Sequence, residues 1–493
     1  MHLEPVACYR ALLARDARYD GRFFTCVKTT GVYCRPICPA RPPKIENCVF
    51  VPSAAAAQKA GFRPCLRCRP ESAPDLGAWR GTSATVSRAL ALIESGALDA
   101  SGVETLAGRL GLGGRQLRRL FRQHLGAAPV TVAQTRRVLL AKQLIHQTNL
   151  SLTEIALASG FGSVRRFNET FRQLYNRPPG ELRRAKGLAA PAAEAAITLL
   201  LPYRAPYDWE ATMGFFRTRA IPGVETVAAD RYRRIIQIGE TIGRIEVTHR
   251  PAQTALRTTV HFPRLDALPV IIARIRRLFD LAADPVAIAA ALSRDPLLAP
   301  LLAARPGLRV PGGWDGFEIA VRAVLGQQIT LAAARRLAGK IAASFGDPVP
   351  GGAAVAGLTH AFARPERVDA DGVAMLGMPR ARAAGIAGLA RAVCRDPGLF
   401  DPRQDLASAI ARFIELPGVG EWTAQYIAMR GLNENDAFPA ADIGLMRAYA
   451  AATGRRPTAR ELLERAESWR PWRAYAAVHL WTADATQGFP QAA

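Results

Sequence analysis

Four cysteines in two close pairs are the residues of this sequence best suited to chemistry. Cys34 and Cys38 are separated by three residues and Cys65 and Cys68 by two, with a 26-residue loop between the pairs. Two thiolates from each of two turns make the tetrahedral donor set that Zn²⁺ prefers. The spacing therefore predicts one structural zinc ion, which would supply much of the folding free energy of so short a module.

A glycine-rich turn and a carboxylate near the C-terminus form a second group. The sequence LPGVG (416–420) joins two segments with helical periodicity, and Asp442 follows 22 residues after Gly420. Such glycines let backbone N–H groups approach a phosphate, and the next helix N-terminus adds a favourable dipole. Asp442 precedes a segment with helical periodicity, where its side chain would accept the free N–H groups of the first turn, so from its position alone it is predicted to be an N-cap.

Arginine-bearing helices form a third group. Residues 103–125 and 152–174 each contain a short helix, a turn with glycine and a second helix, and residues 82–186 carry 16 basic and 6 acidic side chains. This helix-turn-helix layout, present twice, favours binding in the DNA major groove. The candidate DNA-binding side chains are Arg115, Arg118, Arg119, Arg165 and Arg166.

The helices and strands predicted around these three groups indicate a multidomain fold, mainly α with an α+β part. The chain has 493 residues, of which 49% are hydrophobic, so several cores are expected and general disorder is excluded. Composition shifts place linkers near residues 76 and 190, and strand-like runs between 197 and 262 precede a helix at 270–279. The expected domains are a zinc module (1–75), a helix-turn-helix domain (82–186), a small α+β domain (195–300) and an all-α domain (301–490).

The charge of the chain indicates a polyanionic partner. The net charge is +24, and residues 1–186 contain 29 basic and 12 acidic residues, hence +17. Such an excess favours nucleic acid, although an arginine-rich composition from a GC-rich genome is an alternative. No apolar run is long enough to span a bilayer and no signal peptide is evident, so we expect a cytoplasmic, nucleoid-associated protein with no membrane partner.

The sequence around the cysteines resembles the N-terminal module of the Ada adaptive-response regulators. The matching segments are TTGVYCRPICPAR and AGFRPCLRCRP. The resemblance implies that Cys34 is both a zinc ligand and the nucleophile that accepts a methyl group from a DNA methyl phosphotriester. It also places Thr30, Arg41 and Arg67 near the phosphate.

Residues 82–186 resemble an AraC-type DNA-binding domain, through GF followed by F-x-x-x-F and the ending PPGELR. This domain also follows the zinc module in Ada-like proteins. The resemblance implies promoter DNA as a partner and RNA polymerase as a further one. We also expect a monomeric chain.

The C-terminal half resembles the helix-hairpin-helix DNA glycosylases of the AlkA type. The resemblance rests on the hairpin, WTAQYIAMRGL, Asp442 and the segment YDWEATMGFFRTRAIPGVE. It implies a small TATA-binding-protein-like α+β domain before the glycosylase domain, and Asp442 as the catalytic residue. Bifunctional relatives carry lysine where this chain has Trp422, so a monofunctional 3-methyladenine glycosylase is expected.

The same resemblance implies further site residues. It assigns the base pocket to Trp422, Tyr426, Trp481 and Gln327, and core packing is the alternative for the three aromatic residues. It assigns DNA contacts to Pro417, Gly418, Gly420, Thr423 and Gln328. Gln328 lies where the best-known member has an apolar wedge, so the identity of the wedge stays open. The carbonyls of Ile414, Leu416 and Val419 match those that hold a monovalent cation in the hairpin.

Together these features predict a sensor and transcriptional regulator of DNA alkylation damage fused to a repair glycosylase. Two alternatives stay open from the sequence. One is a transcriptional regulator whose glycosylase half is inactive. The other is a repair enzyme whose helix-turn-helix block only holds DNA.

Overall fold

Two compact units make up the chain in the computed structural model. The first comprises Met1–Arg204 and Arg250–Ala273, and the second comprises Ala205–His249 and Arg274–Ala493. The structure describes residues 4–74, 84–183, 196–349, 355–401 and 405–486, and both expected linker centres lie outside these ranges. Among the described residues, no helix is long and apolar enough to cross a membrane. The four-domain boundaries expected from the sequence stay a prediction.

The cysteine turns are built on a small sheet in the first unit. Its strand order is β3-β1-β2-β4, with β1 antiparallel to both neighbours and β2 parallel to β4. The rings of Phe24 and Tyr33 meet edge to face beneath it, and the alanines of α2 are small enough to pack against the sheet. The elements are α1 (Pro5–Leu13), β1 (Phe24–Val27), β2 (Val32–Cys34), β3 (Cys48–Val51), α2 (Ala54–Lys59) and β4 (Arg63–Pro64).

Seven α-helices follow within the described range 84–183, and they confirm the predicted helical block. In α6 and in α9 three apolar residues spaced four apart are buried, which leaves the arginines on the opposite face. Ser151 and Glu154 form a capping box at the start of α8, and Ser163 caps α9. The helices are α3 (Ala84–Glu94), α4 (Ala97–Ala100), α5 (Val103–Arg109), α6 (Gly114–Leu125), α7 (Pro129–Gln147), α8 (Leu152–Ala158) and α9 (Val164–Tyr175).

The four strands predicted between 197 and 262 are present, with one short strand that the sequence did not suggest. In the first unit β5 pairs with β9, and in the second β7 pairs with β6 and β8, all antiparallel. The added strand is β6, which has only three residues. The elements are β5 (Ala196–Pro202), α10 (Trp209–Arg219), β6 (Glu225–Val227), β7 (Arg231–Ile238), β8 (Thr241–Arg250), β9 (Ala255–His261) and α11 (Leu268–Leu278).

The rest of the described second unit is mainly helical and has one large apolar core. A buried ionic cluster lies at its edge, where Arg234 and Arg322 bind the carboxylates of Glu225 and Glu318. The helices are α12 (Pro285–Leu292), α13 (Ala299–Ala304), α14 (Gly316–Leu325), α15 (Leu331–Phe345), α16 (Ala370–Ala374), α17 (Arg380–Arg395), α18 (Leu406–Ile414), α19 (Glu421–Gly431), α20 (Ile443–Thr453), α21 (Ala459–Ala466) and α22 (Arg473–Thr486).

Candidate functional site

The four paired cysteines converge as the spacing predicts. Cys34 ends β2, and the sulfur atoms of all four residues lie within 4.8 Å of one another and are buried. Tetrahedral Zn–S bonds of about 2.3 Å require sulfurs about 3.8 Å apart, so the donor set fits zinc. The backbone N–H of Arg35 also donates to Sγ of Cys68 at 3.3 Å. Among the described residues this is the cluster suited to a metal ion.

The remaining N-terminal cysteines differ from this set in their surroundings. Burial raises the pKa of Cys26 to about 12 and also raises the pKa values of Cys8 and Cys48. Within the cluster, hydrogen bonds among the four sulfur atoms lower the pKa values of Cys38 and Cys65 and raise those of Cys34 and Cys68. The cluster thus differs from the separate thiols of Cys8, Cys26 and Cys48, because its sulfur atoms contact one another.

Exposure does not distinguish Cys34 among the four cysteines, because its exposed fraction of 7% is close to those of the others. The side chains expected near the DNA phosphate, Thr30, Arg41 and Arg67, are all exposed. They are accessible to a polyanion, while the sulfur that would react lies just below the surface.

The second helix of each helix-turn-helix motif presents its arginines outward. Arg115, Arg119 and Arg166 are exposed. Arg118 instead pairs with Glu104 at 2.9 Å, and Arg165 pairs with Glu169 one turn along its own helix. Exposed pairs of this kind contribute little to stability, so DNA phosphates can replace the carboxylates as partners.

Asp442 lies where three donors meet. Its side chain caps α20 by accepting the Leu445 N–H at 3.0 Å, as the sequence predicted. Oδ1 also accepts the indole N–H of Trp481 at 2.8 Å, and Oδ2 accepts that of Trp422 at 2.9 Å. The carboxylate is thereby fixed in position and remains half-buried.

Aromatic rings surround this carboxylate. Tyr426 stacks on Trp422 with centroids 5.4 Å apart and contacts Trp481 at 6.4 Å. All three side chains are half-buried, which distinguishes them from the fully buried aromatics of the core. The structure thus brings together Asp442 and the three aromatic residues assigned to the base pocket.

Three residues of this region were not identified from the sequence. Arg430 donates to the Tyr426 hydroxyl at 2.6 Å, and its guanidinium also lies 4.7 Å from the ring of Phe215. The guanidinium of Arg219 lies 3.9 Å from the centroid of the same ring. Burial raises the pKa of Tyr426, but Arg430 and Arg219 outweigh that effect and lower it. Phe215 and Arg219 belong to the segment YDWEATMGFFRTRAIPGVE, and Arg430 to WTAQYIAMRGL.

Gln327 contacts the hairpin, and its assignment to the base pocket stays a prediction. Its amide Nε2 donates to the Gly418 carbonyl at 2.9 Å and to Oγ1 of Thr423 at 3.0 Å. Thr423 is 2% exposed, so the structure does not bring its side chain to the surface expected to meet DNA. Gln328, by contrast, is exposed with a left-handed φ of 57°, at the tip of the loop between α14 and α15.

The hairpin between α18 and α19 presents its backbone to solvent. Pro417, Gly418 and Gly420 are exposed, and Gly418 has a φ of 76°, which glycine adopts without strain. A Cβ at Gly388 of α17 would lie 3.0 Å from Pro417, so glycine there allows the close packing that supports the turn.

Fold and sites together define a chain that joins a metal-binding module and a helix-turn-helix block to a DNA glycosylase fold. Family models match the metal binding domain of Ada at residues 7–71, a helix-turn-helix domain at 106–185 and the AlkA N-terminal domain at 198–315. A Mycobacterium tuberculosis protein named "Probable bifunctional transcriptional activator/DNA repair enzyme AlkA" is 42% identical over 485 residues, which are 98% of this chain and 97% of that protein. The chain belongs to this family of bifunctional AlkA proteins.

Two further similarities concern the glycosylase half. The DNA-3-methyladenine glycosylase 2 of Escherichia coli is 33% identical over 293 residues, which are 58% of this chain and 98% of that protein. A 3-methyladenine DNA glycosylase structure from Archaeoglobus fulgidus has a TM-score of 0.53 and 22% identity, covering 59% of this chain and 99% of that one. This structural likeness shows the shared fold.

Proposed function

We propose that the C-terminal half hydrolyses the N-glycosidic bond of alkylated purines in DNA. The observation that carries the proposal is the carboxylate of Asp442, held by Trp422 and Trp481 beside the ring of Tyr426. As the bond to the base breaks, positive charge develops on the sugar, and a fixed carboxylate stabilises it. The electrons of the bond leave with the purine, and water completes the sugar as an abasic site.

A cationic alkylated purine suits this arrangement. The electron-rich faces of Tyr426 and Trp481 attract a positively charged base by stacking and cation–π contact. Such a base also departs readily, so no dedicated general acid is required. Lys340, the only lysine after residue 186 in the sequence, donates to the Leu376 carbonyl. The resemblance puts Trp422 at the position of the Schiff-base lysine of bifunctional relatives. The proposed activity is therefore monofunctional.

DNA binding by this half is assigned to the hairpin and to Gln328. Exposed backbone at Pro417, Gly418 and Gly420 is suited to a phosphate, and the proposed wedge Gln328 is exposed at the tip of its loop. A monovalent cation held by the carbonyls of Ile414, Leu416 and Val419 belongs to the same proposal.

The N-terminal module is proposed to take a methyl group from a DNA methyl phosphotriester. Sγ of Cys34 forms a bond to the methyl carbon as the methyl–oxygen bond breaks, and the phosphodiester anion leaves with the bond electrons. A zinc ion held by the four cysteines would keep the accepting sulfur deprotonated. Thr30, Arg41 and Arg67 are proposed to bind the phosphate.

Regulation of transcription is proposed for the two arginine-bearing motifs. Their outward arginines suit promoter DNA, and RNA polymerase is the further partner that an activator needs. The proposal also includes a monomeric chain. It would act in the cytoplasm near the nucleoid, because its substrate is chromosomal DNA.

Two assays on the same full-length protein test the proposal. The first measures release of 3-methyladenine from methylated DNA, and the second measures transfer of a labelled methyl group from phosphotriester DNA to protein. We expect both activities, with only the first lost in Asp442→Asn and only the second lost in Cys34→Ala. Absence of base release from the wild-type chain would support the alternative of a regulator with an inactive glycosylase half.

A further inference from the structure

A lysine of the helix-turn-helix block is fully buried against the cysteine module. Lys142, on α7, has no exposed side-chain surface, and neither does its partner Glu71. The ammonium Nζ lies 2.7 Å from Oε2 of Glu71 and 3.2 Å from the backbone carbonyl of Cys65. One buried cation therefore contacts the backbone of a predicted metal ligand and an acidic residue just beyond the last cysteine.

Such a pair depends on its geometry. Removing two charges from water is costly, and the cost is recovered only when each charge keeps good partners. Glu71 has a second partner, because Arg69 donates from Nε at 3.2 Å. Within the described part of the first unit, Lys142 donates to Glu71 and to the Cys65 carbonyl and to no other acceptor. Its position is consequently sensitive to the conformation of the Cys65–Cys68 turn.

Other contacts join the same two parts of the first unit but do not reach a metal ligand. Ser53 Oγ donates to the Leu125 carbonyl at 2.6 Å, and Thr135 Oγ1 donates to Oε1 of Gln58 at 2.9 Å. These bonds hold α2 and its cap against α6 and α7. Lys142 differs in that one of its two acceptors belongs to Cys65 itself.

Helix α7 is the element through which such a contact would reach both DNA-binding motifs. It lies between α6 and α8 in the chain and packs against helices of both motifs. Nine of its 19 residues are buried. A change in how firmly α7 is held would thus alter the positions of α6 and α9, the second helices of the two motifs.

We propose that Lys142 is a positioning residue through which metal binding by the cysteines orders the helix-turn-helix block. With zinc bound, the Cys65–Cys68 turn is fixed and presents its carbonyl to Lys142. Without zinc, the turn loses its cross-link and α7 loses one of its anchors. The inference rests on the proposed zinc site, and it adds that the DNA-binding block senses the occupancy of that site.

Hydrogen exchange on the full-length protein tests this coupling. Zinc content is measured first, and exchange of peptides from 138–147 is then compared before and after removal of zinc with a chelator under reducing conditions. In the wild-type chain we expect exchange in α7 to become about tenfold faster after zinc removal. Peptides from 406–431 in the second unit should not change and serve as the internal reference.

Two variants isolate the contribution of Lys142. Lys142→Met combined with Glu71→Gln removes both charges, so no unpaired ion is left buried, and α7 should then exchange at the same rate with and without zinc. Arg136→Met is the matched control, because this α7 residue pairs with Asp99 inside the helix-turn-helix block. It should respond to zinc as the wild type does.

The outcomes separate the coupling from the metal site itself. A wild-type chain without bound zinc would remove the proposed zinc site and with it this inference. A zinc-loaded wild type whose α7 ignores zinc removal would overturn the coupling alone. A double variant that still responds like the wild type would assign the coupling to the contacts of Ser53 and Thr135. If the double variant does not fold, the wild-type comparison still tests the coupling, and the single variant Lys142→Gln tests the role of Lys142, because glutamine keeps a donor beside Glu71 but is too short to reach the Cys65 carbonyl as well. A wild-type response to zinc in that variant would overturn the role of Lys142.

Discussion

The indole N–H of Trp481 donates to Oδ1 of Asp442 at 2.8 Å, although the two residues are 39 positions apart in the chain. Trp422 donates to the other carboxylate oxygen, so both oxygens are bound by ring N–H groups. The two tryptophans therefore orient the carboxylate as well as lining the proposed base pocket, and the first two predictions follow from this arrangement.

Asp442→Asn should reduce release of 3-methyladenine by at least about a thousandfold, because the amide cannot neutralise charge on the sugar. Asparagine also caps helices well, so the fold and DNA binding should be preserved. Asp405→Asn is the control, since Asp405 caps α18 with a comparable bond to Ser408 and lacks the indole partners. Near wild-type release by Asp442→Asn would exclude this residue from the mechanism.

Trp481→Phe keeps a ring beside Tyr426 but removes the N–H that orients Asp442. A hydrogen bond to a charged group contributes about 1.5 to 3 kcal/mol, so we expect single-turnover excision to slow by about tenfold to a hundredfold. Trp469→Phe removes a similar indole–carboxylate bond, to Asp295, which is not one of the proposed pocket residues. That control should lower the melting temperature and leave excision unchanged; equal loss of activity in both variants would argue against orientation.

Cys65→Ser should lose zinc in the full-length chain, because three thiolates no longer close a tetrahedral structural site. Cys26→Ser should keep one zinc per chain, since burial holds the pKa of the Cys26 thiol at about 12 and it lies outside the cluster. Metal analysis after gel filtration measures both. Full zinc content in Cys65→Ser would contradict the ligand assignment.

Glu225 links acid stability to the buried ionic cluster. Burial raises its pKa, but Arg322 and Arg234 outweigh this and lower the pKa from 4.5 to about 2. A lowered folded-state pKa stabilises the fold above the unfolded value, and this stability is lost as pH falls from about 4.5 towards 2. Glu225→Gln should thus cost about 3 to 5 kcal/mol at pH 7 and flatten the loss of melting temperature in acid.

The control for this pH dependence is Glu461→Gln. The pKa of Glu461 is also lowered to about 2, first by its hydrogen bond with Arg455, but the group is exposed. Solvent screens that interaction, so its substitution should change the melting temperature far less. Equal effects of the two variants would show that burial of the Glu225 cluster is unimportant.

Methylation of Cys34 should tighten binding to promoter DNA. Four thiolates on Zn²⁺ carry a formal charge of −2, and a thioether in place of one makes it −1. At about 6 Å from a phosphate and an effective dielectric of about 20, this relieves on the order of 2 to 3 kcal/mol before salt screening. Titration of promoter DNA with methylated, untreated and Cys34→Ala protein measures the change in affinity. Equal affinities of the methylated and untreated proteins would exclude control of DNA binding by methylation of Cys34.

Local patterns predicted much of this architecture. The two cysteine pairs, the recognition helices and the N-cap role of Asp442 depend on neighbours close in sequence, and the structure agrees with each of them. The three-residue strand β6 escaped prediction because so short a segment has no periodicity.

Long-range contacts explain what the sequence could not provide. The hydrogen bonds of Gln327 to Gly418 and Thr423 join positions more than 90 residues apart. Nothing in the sequence distinguishes Arg430 from the other residues of α19, and only the fold shows its contacts with Tyr426 and Phe215. Likewise, nothing near Lys142 in the sequence identifies Glu71 as its partner.

The bond between Gln327 and the hairpin has a consequence for how a lesion is found. It fastens the loop that carries Gln328 to the turn proposed to grip the DNA backbone, so the two move as one piece. As the protein slides along undamaged duplex, the distance between Gln328 and the base pairs would therefore stay constant. Gln328 would press on each base pair in the same way, and damaged bases, which stack weakly, would be the first to leave the helix.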